Sequence, residues 1–288
     1  MRRLLVSTSN ASTYARIASR LRGAEVAWDE GRPPTEPFAE GFDAVAFPHP
    51  NGDTPAGLAL AHRAGKHMLL FDPWGVQEQA VTRMFAMARA AGLRFVVANY
   101  ERYLPSRRLI HQELAAGKCG RAGLVRIHCW WELGMPFRLH HELDVAIWLM
   151  GARPDVVYAC GGDAGIAAYQ QVHLGFAGGG MALIDYCTHL PNGSLWHRSL
   201  HVIGSAGAAY ADDHDQAQLV FGGGVPRAPR RHEGLDFRGP SIVQDFVDGA
   251  PAEAGLAMSH TQWHYVRATA AAVQESLATR QAVRVEAA

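Results

Sequence analysis

Residues able to trade a proton stand close together in PFRLHHELDVAIWLMG, the stretch from Pro136 to Gly151. His141 and Asp144 lie three apart, at the start of an apolar run, Val145, Ile147, Trp148 and Leu149, that suits a core helix. Three residues apart on a helix means one shared face, so an imidazole and a carboxylate are presented together. Unperturbed imidazole titrates near neutrality, which fits His141 for general acid or base work. His140 adds a second imidazole beside it. Trp131 and Phe137, just upstream, are candidates for an aromatic pocket wall, although ordinary core packing accounts for such side chains equally well.

A second carboxylate ends the strand-like run HMLLFDP at Asp72. It can hold a cationic or amine-bearing substrate or accept a proton. Equally, it can be satisfied by the amides of a turn. A third group of candidates follows the first apolar run, RRLLV. Ser7, Ser9 and Ser12 stand where a dinucleotide-binding loop carries glycines, whose backbone amides approach a pyrophosphate at a helix start. Serine keeps the amide but adds a side chain where only hydrogen normally fits. Asp29 closes the next strand, about 20 residues on, where such a fingerprint places its ribose-binding acid. Ser9, Asn10 and Ser12 are also good helix caps, and both readings stay open.

Metal is tested at His260 and His264, four apart on a helix-like run. Thr-Gln-Trp separates them, with no catalytic Glu, and neither a cysteine cluster nor a third ligand accompanies them. His197 and His201 fall on one side of a strand. No metal site is expected.

The elements that must position these residues alternate at first. RRLLV, AEVAWDE, DAVAFPHP, HMLLFDP and LRFVVANY read as strands, separated by helix-like runs such as STYARIASRLRG, TPAGLALAHRAGKH and QEQAVTRMFAMARAAG. That alternation implies a parallel sheet with helices on both faces. After the helical SRRLIHQELAAG the rhythm changes. LVRIHCWW, the HHELD helix, then VVYACGG, YQQVHLGFA, GMALIDYCTHL, LWHRSLHVIGS and QAQLVFGGG imply a mainly antiparallel sheet. Residues 224–240, rich in Pro, Gly and Arg and carrying Arg227, Arg230 and Arg231, read as an exposed loop. Two helices close the chain. The expected class is α/β followed by α+β, with residues 1–118 as a Rossmann-like unit and 119–288 as a substrate and oligomerisation unit. The last helix can pack back on the first unit.

Length and charge agree with one or two globular domains: 288 residues, 27 basic against 27 acidic. A neutral balance supplies no footprint for nucleic acid or an anionic membrane. Only Lys66 and Lys118 are lysines, so few positions can offer a titratable ammonium. Four dispersed cysteines and the lack of a long apolar run point to a reduced, cytoplasmic setting.

The order of short motifs along nearly the whole chain resembles the Gfo/Idh/MocA family of nicotinamide-dependent dehydrogenases. AGKHMLLFDP is similar to that family's A-G-K-H-V-x-x-E-K-P segment, and NYERYLP to its N-x-R-x-x-P helix. GKCGRAGLVRI resembles its G-x-I-G turn, HHELDVAIWLMG its H-x-x-D-x-x-x-x-L-x-G helix, and VIGSAGAAY its G-x-x-G turn. AAVQESLATRQAVRV resembles its closing segment. The resemblance implies a Rossmann domain, NAD or NADP as cofactor, His141 in the family's catalytic position and Arg102, Trp131, Phe137 and His140 around the substrate. Departures coincide with the chemistry. Serines replace the loop glycines, Asp72 replaces the catalytic lysine, and Phe137 stands where an aspartate would orient His141. An anion at position 72 repels developing charge on an oxygen, where a cation would stabilise it.

Three functions follow as expectations. One is an NAD(P)-linked oxidoreductase acting on a small carbonyl, hydroxyl or imine through a remodelled site. Another is a cofactor-independent lyase, isomerase or cyclase using His141 and Asp72. The third is a catalytically silent homologue paired with an active relative. Self-association through the second sheet is expected under all of them.

Overall fold

The computed structural model describes residues 3–30, 41–132, 139–162, 169–190, 197–212, 217–222, 225–231, 238–249 and 256–286. Two compact units emerge, one of residues 1–103 and 234–260, the other of residues 104–233 and 261–288.

In the first unit five short runs pair in parallel: β1 (Arg3–Val6), β2 (Glu25–Trp28), β3 (Ala44–Phe47), β4 (His67–Phe71) and β5 (Phe95–Ala98). Their order is β2-β1-β3-β4-β5, the doubly wound arrangement whose direction switches between β1 and β3. β3 is buried throughout, as the continuous apolar run Ala44 to Phe47 dictates for a strand covered on both faces. Crossovers run through α1 (Ala11–Arg20), α2 (Thr54–Arg63) and α3 (Glu78–Ala90). A later helix, α6 (Arg238–Val247), joins this unit. Its Ile242, Val243 and Phe246 enter the core formed by Leu4, Val6, Ile17 and Phe71. Arg94 Nη1 holds it by donating to the Phe246 carbonyl at 3.0 Å.

The second unit is a nine-stranded sheet. It contains β6 (Ala122–Glu132), β7 (Pro154–Gly161), β8 (Tyr169–Phe176), β9 (Met181–Leu190), β10 (His197–Gly204), β11 (Gly207–Asp212), β12 (Ala217–Gly222), β13 (Val225–Arg231) and β14 (Val283–Arg284). The order is β13-β12-β11-β10-β6-β9-β8-β7-β14. All recorded pairs are antiparallel except β6 with β9. α4 (Pro105–Ala115) packs on β11 and β12, and α5 (His140–Met150) on β6 and β9. α7 (His260–Thr279) is tied to β7 where Ser276 Oγ accepts the Ala159 amide at 2.9 Å. Gly151 ends α5 in the left-handed region, at φ 64°, which a side chain would strain. A Cβ at Gly204 would overlap the Cys119 carbonyl, so the turn between β10 and β11 requires glycine.

Two local expectations need correction. Residues 225–231 are not loop but the edge strand β13, register-shifted against β12, with Pro226 opposite Phe221. Proline is tolerated there because an edge strand can leave one side of its backbone unpaired. The end of the VIGSAGAAY turn motif, from Gly207 on, is not turn but the start of the strand β11. The boundary expected near 118 sits beside a structural division at 103/104, since α4 packs on the second sheet.

Candidate functional site

In the first unit the candidates converge on the carboxyl edge of the parallel sheet, where open α/β sheets bind ligands. β1 ends at Val6, four residues turn, and α1 begins at Ala11. Ser7 is half-buried and its amide bonds the Ala46 carbonyl at 2.8 Å, a strand contact. Ser9 is exposed, and Ser12 lies in the first turn of α1. There Arg16 donates to both the Ser12 carbonyl and hydroxyl, each at 3.3 Å.

Thr8, unnoticed in the sequence, ties the loop together. Its amide donates to Asp29 Oδ1 at 3.2 Å, its hydroxyl accepts the Asn10 amide at 3.1 Å, and its carbonyl accepts Trp28 Nε1 at 2.6 Å. Asn10 in turn caps α1, taking the Thr13 amide on Oδ1 at 3.0 Å. Tyr14 stacks on Trp28, with ring centroids 5.0 Å apart. The loop therefore satisfies several of its own donors from within.

Asp72 follows β4 in the left-handed region, φ 41° and ψ 65°, a conformation Asp tolerates better than most residues. Its Oδ1 accepts the Tyr100 amide at 3.1 Å, and Tyr100 Oη donates to the Pro48 carbonyl at 3.4 Å. His49 stands beside this group, and the sequence reading passed over it. Phe47 pairs with Leu70, so continuing the register brings His49 level with Asp72. His49 Nε2 lies 2.9 Å from Thr13 Oγ1 on α1. Burial lowers the pKa of His49 below the ordinary histidine value; the Asp72 carboxylate opposes that shift and Arg16 adds to it. A histidine two residues past a strand, on the ligand-bearing edge, was the signal available. Arg102 is fully buried, in the 3-10 turn Tyr100–Tyr103, with Nη1 donating to the Ala257 carbonyl at 3.3 Å.

The second unit holds the helix histidines. α5 begins at His140, which is half-buried, while His141, Glu142 and Asp144 are buried. Glu142 bridges two buried guanidiniums, Arg107 of α4 at 3.2 Å and Arg198 of β10 through a short bond. Arg198 also lies over the Trp131 ring, 5.3 Å from its centroid, and Trp131 Nε1 contacts Cys129 Sγ at 2.9 Å. Phe137 lies outside the described residues.

On the sheet itself, His128 Nδ1 meets Asp185 Oδ2 at 2.8 Å, and Gln171 Nε2 donates to Asp185 Oδ1 at 2.8 Å. His197 and His201 do share the face of His128, their rings 6.4 and 6.1 Å away. Among the described residues no three His, Cys, Asp or Glu are grouped so as to hold a metal ion.

A dinucleotide fits what the first unit offers. α1 starts at the switch point, which favours phosphate, and the Asp29 carboxylate follows directly after β2 on the same edge. Thr8 and Asn10 fill part of the loop's hydrogen-bonding capacity beforehand.

No protein-family model matches the sequence, and no curated protein matches it either. Solved structures do. An NAD-binding oxidoreductase from Klebsiella pneumoniae superposes with a TM-score of 0.78 at 18% identity, covering 100% of this chain and 99% of that one. An oxidoreductase from Agrobacterium radiobacter, in complex with NAD+, L-tartaric acid and magnesium, gives 0.78 at 15%, covering 99% and 98%. Scyllo-inositol dehydrogenase from Lactobacillus casei, with bound NAD(H) and scyllo-inositol, gives 0.73 at 16%, covering 99% of each chain. Agreement over whole chains at such low identity speaks for architecture, and the chain has the two-domain fold of the Gfo/Idh/MocA oxidoreductases.

Proposed function

We propose that the protein is an NAD(P)-linked oxidoreductase acting on a small carbonyl, hydroxyl or imine compound, with a site altered from that of its structural neighbours. The observation that carries this reading is the β1–α1 turn at the switch point with Asp29 at the end of β2, on a fold shared with NAD-binding oxidoreductases. Asp29 and the backbone at the start of α1 would hold the dinucleotide. Bound nicotinamide supplies hydride chemistry. His141 is the proposed proton-transfer group of the second unit, since neutral imidazole at a helix start can take a hydroxyl proton or return one.

Asp72 does not reproduce a lysine. A carboxylate beside a reacting oxygen disfavours negative charge there, so amine or imine substrates, which develop positive charge, suit it better than alcohols. Asp29 favours NADH over NADPH, because its carboxylate accepts from a ribose hydroxyl and repels a 2′-phosphate. Titration with NADH and NADPH, followed by fluorescence, tests the reading. Micromolar NADH binding at least tenfold tighter than NADPH is expected, on the order of one lost hydrogen bond plus one repulsion. Absence of binding up to millimolar concentration would overturn it in favour of cofactor-free acid–base chemistry at His141.

We further propose self-association through one face of the nine-stranded sheet. Trp130, Val156, Tyr158, Tyr169, Met181 and Ile203, the exposed large apolar side chains among the described residues, share that face by strand register. Concentrated exposed apolar surface of this kind marks interaction sites. A purely monomeric mass by light scattering at micromolar concentration would refute it.

A further inference from the structure

We infer that His49 is a titratable cationic group that receives the cofactor's diphosphate beside the backbone amides at the start of α1. The inference rests on the dinucleotide reading above and assigns a residue and a pH dependence to it.

A diphosphate brings two negative charges to the start of α1, and a Gly-rich loop meets them with unencumbered amides. Here the Thr8, Asn10 and Thr13 amides already donate to Asp29, Thr8 and Asn10 side chains at 3.0 to 3.2 Å. With three amides engaged in this way, a side-chain cation near the turn adds to what the remaining amides offer. Neither of the chain's two lysines belongs to it: Lys66 precedes β4, and Lys118 pairs with Glu113 at 2.7 Å in the other unit. Arg16, exposed and bonded to Ser12, brings a permanent charge to the same turn but no pH dependence. His49, exposed as a residue, sets its ring partly buried against the first turn of α1, where Nε2 lies 2.9 Å from Thr13 Oγ1, beside the turn that would carry phosphate. The carboxylate of Asp72, level with it on the neighbouring strand end, supports its proton.

The groups facing the ring set its response. Burial and Arg16 favour the neutral form, and Asp72 favours the charged one, so the free ring sits below the ordinary histidine value. An arriving dianion favours the imidazolium, which raises the bound-state pKa. Affinity must then rise as pH falls through that interval, because binding takes up a proton.

The test uses ADP-ribose, which carries the diphosphate without the nicotinamide, titrated calorimetrically into the full chain between pH 8.5 and 5.5. Roughly tenfold tightening across that range is expected for one unit of linkage. His49→Gln, an exposed substitution that keeps a partner for Thr13, should bind weakly with a flat profile. His49→Lys should bind tightly with a flat profile, since its cation persists throughout. A slope unchanged in His49→Gln would overturn the role of His49 while leaving the dinucleotide reading standing. Failure of the parent protein to bind ADP-ribose at any pH, together with failure to bind NADH, would remove both.

Discussion

The turn after β1 and the Glu142 cluster solve the same problem, polar groups in a folded interior, with opposite means. Around Thr8 the partners are neutral hydroxyl, amide and indole groups plus one carboxylate, and the bonds span only residues 8 to 29. Around Glu142 the partners are two guanidiniums from α4 and β10, all three side chains within 2% of full burial. A local, mostly neutral network can lose one member and let water or a ligand replace it. A buried charge cluster cannot, because each ion left alone keeps its desolvation penalty. The first arrangement is suited to a site that must open for a ligand, the second to holding α4, α5 and β10 in one register.

The difference is broken most directly at Glu142. Glu142→Gln leaves Arg107 and Arg198 facing a neutral amide in a dry site, and a loss of about 3–5 kcal/mol is expected. Urea unfolding at pH 7.5, with far-UV ellipticity as the probe, measures it. A loss under about 1 kcal/mol would put this cluster in the class of exposed pairs. Asn10→Ala probes the other side. Removing the cap should lower stability by only about 1 kcal/mol, and water can then take the Thr13 amide. A cost at position 10 as large as that at 142 would mean the turn is no more adaptable than the cluster.

How far each region could be read from the sequence follows from the same contrast. Strand and helix order in the first unit came through because buried runs such as Ala44 to Phe47 and spaced runs such as the one in α1 are one-dimensional patterns. β11 and β13 did not, since Gly and Ala dominate the first and Arg and Pro the second, and only pairing with β10 and β12 makes them strands. His141, Asp29 and Asp72 were visible as single residues, but their partners were not. Asp29 with Thr8 spans 21 positions, Glu142 with Arg198 spans 56, and no periodicity reports a contact of that range. His49 was missed for a related reason: PHP reads only as the tail of a strand-like run until the register sets it level with Asp72. Glu142 follows His141 directly in the sequence, but its two arginine partners carry no spacing signature.

The smallest effect separates the units by acid. His67 in the first unit, and His128 and His201 in the second, all have pKa values lowered below the usual 6.5, in each case chiefly by burial. Arg94 reinforces this at His67 and Arg126 at His201, while Asp185 works against it at His128. His67 is held neutral by its role as acceptor, Nδ1 taking the Arg94 amide at 3.0 Å. A depressed pKa means the unfolded chain binds more protons, so stability is complete above 6.5 and declines as pH falls through the folded-state values. The urea midpoint should therefore drop between pH 7.5 and 5.5. The slope should flatten more in His128→Gln/His201→Gln than in His67→Gln, because two titrating rings are removed from the second sheet and one from the first. Identical slopes in all three proteins would assign the acid sensitivity to other groups. A flatter slope in His67→Gln alone would move it to the parallel sheet, making the first unit, not the second, the part of the molecule that acid disturbs first.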